Sequence, residues 1–117
     1  MGERNKYDLE DRTFEFANNC KNFIKDLFKT SYNIEYSKQL IRSSGSVAAN
    51  YIEANESLSK KDFIHRVKIC RKEAKESRLW LRLIDVGRDA QDKKGDLINE
   101  TIELVKIFST IIENSSK

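Results

Sequence analysis

Apolar side chains recur at three- and four-residue steps along most of this chain, and four stretches carry that helical period. The first runs roughly over residues 10–29, with Phe16, Cys20, Phe23, Ile24, Leu27 and Phe28 on one stripe and Phe14 beside it. Asp8 is its expected N-cap, with Glu10 and Asp11 in a first turn that favours negative charge; residues 1–7 are expected to fray. A polar turn over 29–33 precedes a second helix over about 34–55, whose inward positions are Ser37, Leu40, Ile41, Ser44, Val47, Ala48, Tyr51, Ala54 and Leu58. Ser59 and Asp62 form a capping box that starts the third and longest pattern, with Phe63, Val67, Cys70, Ala74, Ser77, Leu81 and Ile84 as its core seam. That helix is expected to stop near Val86, with Gly87 as a left-handed terminator. Residues 88–96 are polar, either a connection or in part the first turns of the next helix. From Leu97 the face Leu97, Ile98, Thr101, Ile102, Val105, Phe108, Ile111 and Ile112 is regular again, and residues 114–117 form a polar tail.

Four helices joined by short turns predict an all-α, up-down-up-down antiparallel four-helix bundle, a single domain over 1–117. Composition agrees, since the 117 residues include no Pro and only four Gly, against 35% charged residues. No apolar run approaches the ~20 residues of a membrane span, and residues 1–12 lack the apolar core of a signal peptide. Cys20 and Cys70 stand apart without CxxC spacing, so a reduced, cytoplasmic protein is expected.

The run Ser43, Ser44, Gly45, Ser46, Val47, Ala48 and Ala49 weakens the second helix, with Gly45 alone costing about 1 kcal/mol against Ala. Small side chains in mid-helix predict close approach by another helix, and a kink at Gly45 is the alternative. The Gly-Lys-Ser/Thr ending of a phosphate-binding loop is missing.

Charge changes the picture of the third helix. Between residues 60 and 82 there are nine Lys or Arg against three acids, a net +6; the whole chain carries +3, which leaves −3 elsewhere. Stepping ~100° per residue from Phe63, the positions Lys60, Lys61, Lys68, Arg71, Lys72, Lys75, Arg78 and Arg82 fall on one side, and only Arg66 lies apart. The opposite flank holds Asp62, Glu73 and Glu76 interleaved with Ile69 and Trp80. Counting Leu83 as well, the apolar arc widens to about 200°, more than one neighbouring helix needs. This flank, with Tyr36 and Tyr51, is the expected oligomer interface. The basic side admits two readings: a solvated helix surface, or a positive ridge that follows a nucleic-acid backbone.

Side-chain chemistry points away from catalysis. His65 is the only His and has no partner at ligand spacing, the two Cys sit on apolar faces, and the Glu-x-x-His pairs of di-iron bundles do not occur. The expectation is therefore a non-enzyme with no metal or cofactor.

Several segments resemble one family over nearly the whole chain: Asp8-Leu9, Thr13-Phe14-Glu15-Phe16-Ala17, QLIRSSGSVAANYIEA (39–54), SKKDFIHRVKICRKEAKESRLWLRLI (59–84) and LVKIFSTII (104–112). They are similar to the bacterial four-helix-bundle proteins named after 23S rRNA intervening sequences, which are encoded within insertions in 23S rRNA genes and at other chromosomal sites. The resemblance implies a toroidal homopentamer, and a likeness to the basic accessory protein of diversity-generating retroelements, which associates with nucleic acid and a reverse transcriptase. It supplies no catalytic residues, and the older label of ribosomal protein carries no ribosomal function over. Residues 88–96 are the least family-like. Two functions follow as expectations: an oligomer that binds RNA or DNA through the basic face of the third helix, or an adaptor ring that assembles a protein partner without touching nucleic acid.

Overall fold

A computed structural model describes the backbone of residues 2–116 and the side chains of residues 9–116. Helix α1 spans Gly2–Lys25, α2 Ser31–Asn55, α3 Lys60–Leu83 and α4 Gln91–Ser115, with one 3₁₀ turn at Arg88–Ala90 leading into α4. Short connections fold each helix back on its predecessor, and α4 closes against α1 in an elongated bundle of 45 × 25 × 19 Å. The all-α four-helix bundle is the fold expected from the pattern.

The helix ends follow from capping chemistry, and several lie away from the expected places. Asp8 is inside α1 and so cannot cap it. Thr30 is the cap that the pattern missed: its backbone is extended and its Oγ1 accepts the Asn33 N–H at 3.0 Å. Ser59 caps α3 as expected, its Oγ accepting the Asp62 N–H at 3.1 Å. Helix α3 stops at Leu83, with Ile84 extended, and Gly87 has an ordinary φ of −72°. No left-handed terminator is needed, because Lys94 Nζ donates to the carbonyls of Ile84 at 2.7 Å and Arg82 at 3.4 Å. Lys94 reaches them from α4, which begins within the segment read mainly as a connection.

Asn33 fixes the same end of the bundle. Only 2% exposed, it donates from Nδ2 to the carbonyls of Phe28 at 3.2 Å and Asp85 at 3.0 Å, while its Oδ1 accepts the Asp85 N–H at 3.0 Å. One side chain thereby ties the α1–α2 turn, the start of α2 and the exit of α3.

Phe16, Cys20 and Phe23 of α1, Leu40, Val47 and Tyr51 of α2, the α3 seam, and Leu104 and Phe108 of α4 build the core. The α3 seam is buried as expected apart from Phe63, which is half-buried. Leu104, outside the expected α4 face, is fully buried. Three residues expected inward are not: Phe28 and Ile41 are half-exposed or more, and Leu58 is 98% exposed in the α2–α3 turn.

Helices α2 and α3 pack most closely where small residues meet. Ser43 Oγ and Ser77 Oγ share a buried hydrogen bond of 2.8 Å, and Cys70 Sγ donates to the Val47 carbonyl at 3.6 Å. Gly45 has no part in this. It is exposed, and a Cβ added there would meet nothing within 4 Å. The inner members of the small-residue run make the close approach, and α2 continues unbroken across the glycine.

Candidate nucleic-acid interface

Helix α3 is the central strut, packed on α2 along one side and on α4 along the other. Two neighbours within the chain explain why its apolar arc is twice the width that one contact needs. Part of the flank expected at a subunit contact faces α2: Trp80 stacks on Tyr36 with ring centroids 5.9 Å apart, and Arg42 of α2 donates to Glu76 at 3.0 Å and Glu73 at 3.4 Å. Glu73 is 6% exposed, and Tyr51 is 5% exposed and packs on Phe108. Neither has surface left for a second subunit, so both belong to the protomer. Asp62 and Leu83 remain exposed on that flank, whereas Ile69 and Trp80 are half-buried.

The basic side is assembled as its spacing predicts. Lys60, Lys61, Lys68, Lys72, Lys75 and Arg82 are exposed, and Arg71 and Arg78 are half-buried toward the bundle. Arg71 Nη1 donates to Ser109 Oγ of α4 at 3.3 Å, which orients that guanidinium along the α3–α4 seam. Lys72 lies 3.9 Å from Glu73. Among the described residues, Lys61, Lys68, Lys75, Arg78 and Arg82 form no salt bridge. Arg66, the cation off the ridge, instead turns toward α2, donating to Asn50 Oδ1 at 3.0 Å and approaching Glu53 at 3.9 Å.

Lys61, Lys68, Lys75 and Arg82 share a seven-residue spacing, two helical turns or ~10.5 Å apiece, so this row extends for ~32 Å. Anchored on two neighbours, α3 carries these cations as one row that drifts by only about 20° per step.

Both thiols are sequestered. Burial pushes the thiols of Cys20 and Cys70 up to about 12, which keeps both protonated and non-nucleophilic near neutral pH. His65 is exposed at the N-terminal end of the ridge. Among the described residues, no group of three or more His, Cys, Asp or Glu could hold a metal ion, and no helix is long and apolar enough to cross a membrane.

The sequence matches the 23S rRNA-intervening sequence protein family over residues 5–110, nearly the full chain. The chain belongs to that family. The crystal structure of a protein of unknown function from the S23 ribosomal protein family of Bacteroides thetaiotaomicron superposes with a TM-score of 0.72 at 30% identity, covering 88% of this chain and 96% of that one. No curated protein matches. The family match includes α3 in full, and with it the ridge, the capping serine and both packed flanks.

Proposed function

We propose that this protein is a non-enzymatic, oligomeric bundle of the bacterial cytoplasm that binds RNA or DNA through the ridge on α3. The observation that carries the proposal is the row Lys61, Lys68, Lys75 and Arg82: four exposed cations on one side of α3, without salt-bridge partners among the described residues. A merely solvated helix surface commonly intersperses acids with its bases, as i,i+4 pairs do. Here the acids sit on the α2 side, where Arg42 engages two of them. Each phosphate met by a cation releases counterions, so affinity accumulates along the row without reading base sequence.

Lys68→Glu with Lys75→Glu reverses two central charges at exposed positions and leaves the core untouched. It is expected to weaken binding to unrelated sequences by similar factors, about tenfold or more at low salt. Equal affinity of the double variant and the wild type would contradict the ridge reading.

Self-association is the second half of the proposal, a homopentamer as the resemblance implies. Its support is exposed apolar surface: Phe14 at 61% and Ile41 at 53% border a cleft between α1 and α2, and Leu79 and Leu83 are exposed on α3. This surface also favours the adaptor reading, in which a protein partner is assembled without nucleic acid. Ile41→Lys and Leu83→Glu, followed by sedimentation, locate the contact: loss of the oligomer with a retained helical spectrum supports it, and an unchanged oligomer removes it.

A further inference from the structure

At the N-terminal end of the ridge the surface folds into a cleft. The first two turns of α3 form one wall, with Lys60, Lys61, His65 and Lys68, and Ser115 and Ser116 at the end of α4 form the other. It is an open groove with a volume of about 700 Å³. Lys61 and Lys68 are also the first two members of the row, so cleft and row are one continuous surface. Beyond Lys60 the ridge ends, because the chain turns away through residues 56–59 into α2.

Resting on the nucleic-acid reading, we infer that this cleft receives the end of a strand, a terminal phosphate monoester. A bridging phosphodiester carries one negative charge, whereas a monoester carries nearly two at neutral pH and presents three strong acceptor oxygens. In the cleft, Lys61, His65 and Lys68 line one wall over two helical turns, and Ser115 brings a hydroxyl from the facing helix. That is more donor capacity than one diester uses, placed where the ridge stops.

The end of α4 could oppose an anion through its free carbonyls, yet these are partly engaged. The Ser116 N–H donates to the carbonyls of Ile112 at 3.0 Å and Glu113 at 3.3 Å, and Ser116 Oγ donates to Ile112 at 2.7 Å.

The experiment compares one strand long enough to cover the row, ending in hydroxyls, in a 5′-phosphate or in a 3′-phosphate, by fluorescence anisotropy against the intact protein at low salt. At least one phosphorylated form is expected to bind about tenfold tighter than the hydroxyl form, equivalent to ~1.4 kcal/mol. Lys61→Gln with Lys68→Gln should abolish that ratio, whereas Lys75→Gln with Arg82→Gln should weaken all forms and preserve it. Equal affinities for all three strands in the wild type, or a ratio that survives Lys61→Gln with Lys68→Gln, overturns the inference and leaves the ridge intact. If no strand binds, the ridge reading fails first and this one with it. Should inorganic phosphate erase the ratio while the hydroxyl strand stays bound as before, at concentrations where added chloride of equal ionic strength does not, the cleft takes free phosphate and the strand-end reading is wrong.

Discussion

Asn33→Ala tests how the bundle holds its loop end together. The substitution removes two donors and one acceptor at once, leaving the Phe28 carbonyl and both backbone groups of Asp85 without their partner. Asp85 is an exposed residue and water can reach part of what is lost, so the penalty is smaller than three buried orphans would give. Taking ~1 kcal/mol for each hydrogen bond, the expected loss is about 2–3 kcal/mol. With ~2.1 cal/mol/K of unfolding entropy per residue, a chain of 117 residues should lose about 8–12 °C in Tm. Asn33→Asp sharpens the test. It keeps an acceptor for the Asp85 N–H but turns a carboxylate toward two carbonyls, so it should be at least as damaging near neutral pH. Urea titration followed by circular dichroism reads both variants. A loss under ~0.5 kcal/mol for Asn33→Ala would refute the idea that this side chain ties α2, α3 and the α1–α2 turn.

Other consequences are quickly checked. Gly45→Ala should stabilise α2 by about 0.5–1 kcal/mol, since the site is exposed and open, and a lowered Tm would show that the glycine is needed for more than helix propensity. Ser59→Ala should cost about 1 kcal/mol through loss of the Asp62 N–H bond, measurable by the same titration. Burial raises the thiol pKa values of Cys20 and Cys70 from 9.0 to about 12, so the unfolded chain releases these protons first and stability should fall as pH rises from about 9 to 12. Replacing both Cys by Ala should flatten that decline, although Tyr51, also raised by burial, leaves part of it in place. A pH profile identical to wild type would contradict the assignment.

The fold was legible because each helix carries a long apolar period, and α3 showed this best: its seam and its one stray cation, Arg66, both lie where the spacing put them. Helix ends were less legible. Thr30 and Lys94 act through one hydrogen-bonded atom each, and neither leaves a periodic trace in the sequence. Asn33 is invisible for the same reason, since its partners are 5 and 52 residues away. Ile41 misled because it adjoins the apolar stripe of α2 where solvent still reaches, and Leu58 because α2 ends at Asn55, before it. The α3 arc is wide because the helix packs on two neighbours within one chain, which bury Glu73 and leave Asp62 and Leu83 of that flank exposed. At the ridge, the side of the helix could be read from spacing alone, while the cleft could not, because Ser115 and Ser116 meet Lys61 and Lys68 only through the fold.

The central claim, binding of nucleic acid along α3, is tested most directly by the salt dependence of affinity for a duplex of arbitrary sequence. If the four cations of the row each neutralise one phosphate, log K should fall against log salt with a slope of about −3.6 per protomer engaged, and Lys68→Glu with Lys75→Glu should reduce the magnitude of that slope by about 1.8 or more. No measurable binding at ~50 mM salt, or a slope near zero that the double variant leaves unchanged, would contradict it.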